Sequence, residues 1–314
     1  SIPVAGSFTP DGRQRYRSVI TAAPTDSGAD YLLTNSDKGR SYIAVASLTK
    51  GWNFGLSASA SVTYQNVKDN QAFTSSIANS NYSNGAYNDP NSLTGAYGHS
   101  NDEVPYAVKY DVSFDHAFFG DYKTRIDLFG ETRQGYNYSY GFQDVSSGRS
   151  SVFGTVASAS RYLFYVPTVN DPLVRYADAA TQTSVENLVN GTGLSKYRGQ
   201  VAPRNAFHSK WFTRLDLHAE QEVPTFLGKS RITLWADVEN FTNLINHKWG
   251  QQLRANFPYN KTVVKVACEA VGANPCGRYV YSSPTSDIAR ADSLVNGSLG
   301  ASLYAIRVGA RFSF

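Results

Sequence analysis

Charge is scarce in this chain. Asp, Glu, Lys and Arg make up 17% of its 314 residues, against about 25% in an ordinary soluble domain. Little is therefore available to cover a large water-facing surface. The apolar share is 41%, too modest to imply a thick aliphatic core. Long apolar runs are missing as well. No stretch approaches the roughly 18 consecutive apolar residues of a membrane-crossing helix. The net charge of +4 comes from scattered residues with no basic run, so the clustered footprint of a nucleic-acid partner is lacking. The chain opens Ser1-Ile2-Pro3, with neither Met nor an apolar leader, so it is expected to start after processing or to belong to a longer protein.

Sites for chemistry are equally sparse. Five histidines (His99, His116, His208, His218 and His247) are scattered without metal-ligand spacing. No Gly-rich phosphate loop or nucleophile elbow is present. Neither a cofactor nor a metal site is expected, and the chain does not read as an enzyme. Cys268 and Cys276 stand alone eight positions apart. With no His or second Cys pair nearby, a local disulfide in an oxidising compartment is expected rather than a metal site.

Aromatic residues are plentiful, with 21 Tyr and 17 Phe. A wall one residue thick, oily on one side and polar on the other, would use this composition. An extracellular β-protein rich in Tyr, Asn, Ser and Gly would use it too, and composition alone leaves both open.

Periodicity separates them. Tyr304, Ile306, Val308, Ala310, Phe312 and Phe314 alternate with Ala305, Arg307, Gly309, Arg311 and Ser313. This is the period-two pattern of a strand between two media. The same pattern recurs over 53–66, 106–119, 122–140, 211–224 and 231–246, and 40–50 is a strand of less certain facing. Short Gly-containing links join neighbours at 50–53, 120–121 and 225–230, as tight turns require. Between the pairs lie long Asn-, Ser-, Gly- and Tyr-rich segments, 67–105, 141–209 and 247–302, with 1–37 as a further external loop. Short turns at one end and long loops at the other fit a transmembrane antiparallel β-barrel better than a sandwich. Seven strands cannot close a wall in lipid, so the rest of the wall is expected from sequence before Ser1.

A set of short motifs, in order, resembles the C-terminal half of TonB-dependent receptors, nearest the Oar-like subfamily with a carboxypeptidase-regulatory-like N-terminal domain. They are Asp11-Gly12-Arg13 with Tyr16, Thr74-Ser75-Ser76, Phe119-Gly120-Asp121-Tyr122, Tyr165-Val166-Pro167 and Ala202-Pro203-Arg204-Asn205-Ala206-Phe207. Trp211, Arg214-Leu215-Asp216-Leu217 and Gln221-Glu222-Val223-Pro224 follow, then Trp235 to Asn246 and Trp249-Gly250. The resemblance implies that residues 1–314 are one barrel portion: about seven C-terminal strands of a wall of about 22 strands, with the plug and TonB box outside this chain. It further implies the bacterial outer membrane as location, outer-membrane lipid, TonB and the barrel-assembly machinery as partners, and energised uptake of a small-molecule, glycan or peptide substrate. Tyr304, Phe312 and Phe314 would then be the assembly signal.

Ligand capture would fall to aromatic and amide side chains of the external loops. The candidates are Tyr82, Tyr87, Tyr97, Tyr136, Tyr138, Tyr140, Tyr162 and Tyr165, each of which equally suits an interface girdle or an extended loop strand. His218 and the alternating acids Asp111, Asp115, Asp216, Glu220 and Glu222 suggest acid–base chemistry at first sight. Pairing with wall cations such as Arg125, Arg133, Arg214, Arg307 and Arg311 is the plainer expectation. Two other classes remain open: a surface adhesin, assembly partner or passive porin, and a secreted carbohydrate-binding β-protein.

Overall fold

A strand whose alternate residues are apolar must place one face against oil or protein and the other against something polar. Seven such strands form one antiparallel meander in the computed structural model of the chain, which describes residues 1–18, 31–71, 74–143, 149–155, 161–225, 228, 230–285, 293–294 and 302–314. They are β1 (Arg40–Gly51), β2 (Leu56–Asp69), β3 (Tyr106–Phe119), β4 (Tyr122–Arg133), β5 (Phe212–Pro224), β6 (Arg231–Glu239) and β7 (Ala305–Ser313). Each pairs with its neighbours in chain order, and β1 and β7 are the two edges. The structure is mostly β, and its described residues show no closed barrel.

The register joins like faces. Ala58, Val112, Leu128, Leu217, Val238 and Ile306 are successive partners across six strands. One residue along, Ser57, Ser113, Asp127, His218, Asp237 and Arg307 form the matching row on the opposite face. A slip of one residue anywhere would mix the two rows, so the pattern fixes the register. The apolar face stays uncovered: Leu48, Val62, Val112, Ile126, Leu234, Ile306 and Val308 are all exposed.

Ion pairs lace the polar face, within strands and across them. His218 Nδ1 lies 2.5 Å from Asp237, Arg214 Nε 2.7 Å from Asp216, Arg307 2.8 Å from Glu239 and Arg231 2.7 Å from Glu222. Asp216, Glu222, Asp237 and Glu239 are thus engaged with basic side chains of the same face.

Tight links close one end of the meander. Gly120 (φ 63°) and Asp121 form a two-residue turn between Phe119 and Tyr122. Gly55 (φ 93°) passes so close to the Asp115 carbonyl that a Cβ there would overlap it. Phe226, Leu227 and Lys229 of the expected 225–230 turn lie outside the described residues, as do parts of the expected loops.

Three expectations need correction. Strand 122–140 ends at Arg133, because at Gly135 the backbone packs against the carbonyls of Ser209 and Lys210 and leaves the wall. Asn137–Gln143 then enters a different sheet. Strand 231–246 ends at Glu239, where Asn240 turns left-handed (φ 53°) ahead of the short helix Phe241–Ile245. The long segments are also far more ordered than external loops need be. They build a second layer with its own core at the other end of the meander.

That layer centres on a five-stranded sheet in the order Val174–Tyr176, Asn274–Ser282, Asn260–Val271, Asn137–Gln143 and Phe207–His208. Two of its pairings are parallel, 174–176 with 279–281 and 260–265 with 139–143. The helix Ala179–Gly191 is capped by the Asp178 carboxylate, which accepts from Thr181 N at 2.7 Å. Its Thr181, Val185, Leu188 and Val189 recur at helical spacing and are the residues it buries. The disulfide Cys268–Cys276 ties the hairpin of 260–282, with Cα atoms 4.7 Å apart. Residues 1–17 form another hairpin, Ile2–Phe8 against Gln14–Arg17, docked on this core. Arg204 clamps the layer to the wall, donating to the Asp69 carboxylate at 2.6 Å and the Ala96 carbonyl at 2.8 Å.

Candidate functional site

The eight tyrosines do not act alike. Tyr138, Tyr140, Tyr162 and Tyr165 belong to the core of the loop layer and are at most 4% exposed. Tyr162 stacks on Phe153 with ring centres 3.6 Å apart, and its hydroxyl bonds Thr155. The Tyr165 hydroxyl donates to Asp171 at 3.0 Å. Burial pushes both phenols up, and the nearby Asp171 carboxylate adds to the effect at Tyr165. These four rings pack the core of the layer. Tyr136 is half-buried between two guanidiniums, Arg133 at 4.6 Å and Arg254 at 4.4 Å from its ring centre.

Tyr82 and Tyr87 line an open cleft of about 480 Å³ on the loop layer. The Tyr82 ring lies 5.2 Å from that of Tyr31 and 6.4 Å from that of Tyr87. Arg161 sits over Tyr82 at 4.4 Å and holds the ring from behind. Tyr87 is almost fully buried, with its hydroxyl 2.8 Å from Gln71 Oε1, and burial pushes that phenol up. Asn35, Asn70, Gln71 and Asn81 supply amides to the same cleft, while Leu32 and Leu93 form apolar rim positions. Among the described residues its lining holds no Asp, Glu, Lys, Arg or His. Tyr97 lines a neighbouring cleft of different character, with Asp37, Lys38 and Arg40.

Such a cleft can stack a ring or an apolar face and hydrogen-bond neutral polar groups. Elsewhere, no three His, Cys, Asp or Glu side chains converge as a metal set among the described residues. The expected list lacked Tyr31, Leu32, Asn70 and Gln71. Their one sequence signal was the apolar Tyr31-Leu32-Leu33 beside Thr34-Asn35-Ser36, an apolar triplet with no strand alternation.

A buried ion pair organises the layer beneath. Arg13 donates to Asp11 Oδ2 from Nε (2.9 Å) and Nη2 (2.6 Å), and from Nη1 to the Leu163 carbonyl (2.9 Å). Its guanidinium lies 4.8 Å from the Phe153 ring centre and 5.6 Å from that of Phe142. Tyr279 donates its hydroxyl to Asp11 at 2.9 Å. Burial alone would raise the Asp11 carboxyl, yet the Arg13 charge and these hydrogen bonds hold it below its usual range. Asp11-Gly12-Arg13 is therefore the peg fixing the 1–17 hairpin into the layer.

Of the three terminal aromatics, Phe312 pairs with Ile232 in the wall, and Phe312 and Phe314 stack at 5.9 Å. Phe314 is fully exposed at the turn end and Tyr304 is exposed at the loop end. Compared with protein-family models, curated proteins and solved structures, the chain matches none.

Proposed function

We propose that this chain is part of the wall and outer loops of a transmembrane β-barrel in the bacterial outer membrane, of the TonB-dependent receptor class, and that the loop-layer cleft gathers a neutral substrate for uptake. The carrying observation is the bare apolar face of the meander with aromatic residues at both of its ends. Soluble monomers rarely expose contiguous apolar patches beyond a few hundred Å², and this face runs unbroken across seven strands. Tyr64, Tyr106, Trp211, Trp249 and Tyr304 are exposed at the loop end, and Trp52, Phe54, Phe118, Phe119, Phe312 and Phe314 at the turn end. Tyr304 and Phe314 flank β7 about ten residues apart, or about 34 Å of strand. At the roughly 40° tilt of barrel strands this spans about 26 Å, close to the ~25 Å apolar band between aromatic girdles.

In this reading the polar face lines the lumen, where water or a plug meets the crossed ion pairs. The two strand edges, β1 and β7, pair with further strands of the same wall, since lipid cannot satisfy an open edge. The ordered motifs from Asp11-Gly12-Arg13 to Trp249-Gly250 support the receptor class within barrels. Fractionation of the producing cell tests the proposal. The polypeptide should stay with outer membranes through high salt and alkaline carbonate and enter solution only with detergent. Release without detergent would favour the secreted carbohydrate-binding alternative.

A further inference from the structure

We propose that the loop end of the apolar face carries a binding site for the phosphate of an anionic membrane lipid, formed by Lys210, Trp211, Lys248 and Trp249. The proposal rests on the membrane reading above and adds a ligand to it.

These residues line an open cleft of about 560 Å³, together with Thr213, Gln251 and others. Thr213 pairs with Thr132 in register and shares the apolar face with Leu215 and Leu217. The cleft therefore opens where acyl chains would meet headgroups. Trp211 and Trp249 are 55% and 54% exposed. Two large indoles left half bare suit a membrane interface, where the ring sits among headgroups.

Charge identifies the occupant. Among the described residues the lining contains two lysines and no acidic residue. Neither ammonium has an ion-pair partner among the described residues, whereas acidic partners engage most cations of the adjacent wall. An ammonium is a point-charge phosphate binder with three donors, and Gln251 adds an amide. The site is also held in shape. Asn243 Nδ2 donates to the carbonyls of His247 (3.1 Å) and Trp249 (2.9 Å). Asn246 Oδ1 accepts from Lys248 N at 2.9 Å, and Asn240 Nδ2 donates to the Gly250 carbonyl at 3.0 Å. Lys248 and Trp249 thus project from a fixed turn, which lowers the ordering cost of binding. A lipid phosphate between the two lysines would leave its chains running down the apolar face past Thr213 and Leu215.

The test uses the full-length polypeptide in dodecylmaltoside, with native mass spectrometry of bound phosphatidic acid, phosphatidylcholine or inorganic phosphate. Phosphatidic acid should be retained in preference to phosphatidylcholine, and inorganic phosphate should not be retained. Lys210→Gln and Lys248→Gln should each weaken phosphatidic acid binding about fivefold, and together roughly 25-fold. Lys50→Gln, at the turn end, should change nothing. Should the double variant fail to fold, wild-type affinity for phosphatidic acid should still fall with added salt. Equal retention of the two lipids, binding of inorganic phosphate as strong as that of phosphatidic acid, wild-type affinity in the folded double variant, or indifference to salt would each overturn the proposal. A polypeptide that stays soluble without detergent would instead overturn the membrane reading itself.

Discussion

The indole of Trp235 lies across Gly309, its register partner on the neighbouring strand, so closely that a Cβ at position 309 would overlap the ring. An aromatic ring covering a cross-strand glycine fills the gap left by the missing side chain and pins the register of β6 against β7. Tyr110 covers Gly130 in the same way between β3 and β4. The first pair matters most, because β7 is held through β6 alone among the described strands.

Gly309→Val should therefore destabilise the folded chain by about 1–3 kcal/mol, the usual cost of overpacking. Gly309→Val with Trp235→Ala should recover much of the loss. Urea unfolding in detergent, followed by tryptophan emission for the single variant and by gel mobility for both, checks this.

Arg13 and Asp11 make a sharper case. Removing one partner leaves a buried charge uncompensated, at a cost of about 3–5 kcal/mol. Arg13→Met or Asp11→Leu should free the 1–17 hairpin from the loop layer and expose residues 1–18 to limited proteolysis. The double variant should lose less than the sum of the two, since no lone charge remains. Equal protease resistance in wild type and Arg13→Met would remove the pair from this role.

The disulfide closes a loop of about nine residues, for which chain entropy gives about 2–3 kcal/mol. Reduction, or Cys276→Ser, should raise amide exchange within 260–282 while leaving β1 to β7 protected. The separation follows because the hairpin belongs to the loop-layer core, whereas β1 to β7 are held by their own ladder.

His208 gives the loop layer a dependence on pH. Burial lowers its imidazole below the ordinary 6.5, outweighing the hydrogen bond to Gly135 and the Glu103 carboxylate, which raise it. His99 opposes protonation as well. The unfolded chain then binds the proton more readily than the folded one, so stability is full above about pH 6.5 and falls as acid is added toward the depressed value. A melting series from pH 7.5 to 5 should show this fall in the wild type and a smaller one in His208→Gln.

The wall was legible because its residues alternate, and alternation survives in sequence without knowledge of any partner strand. Each of the seven strands overlaps its expected segment, and most boundaries differ by a few residues. The loop layer was not legible in the same way. In Asn137–Gln143 the aromatics Tyr138, Tyr140 and Phe142 alternate with Asn137, Ser139 and Gly141, so the segment reads as a continuation of the strand before it, although it is buried on both faces. The hairpin of 260–282 does carry a sequence signal, namely Gly272-Ala273 between Lys265–Val271 and Asn274–Ser282. Among the tyrosines, residue type carries no information on burial. Tyr138 and Tyr82 both stand in Asn- and Ser-rich sequence, yet Tyr138 packs against Phe207, about 70 positions away. Tyr82 meets Tyr31 at a cleft. Contacts of that range are fixed by topology.

The central claim is that the two faces of the meander meet different media. Spin labels placed singly at 108 to 114 of β3, in the full-length polypeptide in lipid vesicles, measure this directly. Labels at Val108, Tyr110, Val112 and Phe114 should collide with dissolved oxygen and be shielded from a water-soluble nickel chelate. Labels at Lys109, Asp111 and Ser113 should show the reverse, giving a period of two. Equal chelate access at Val112 and Asp111 would contradict the account.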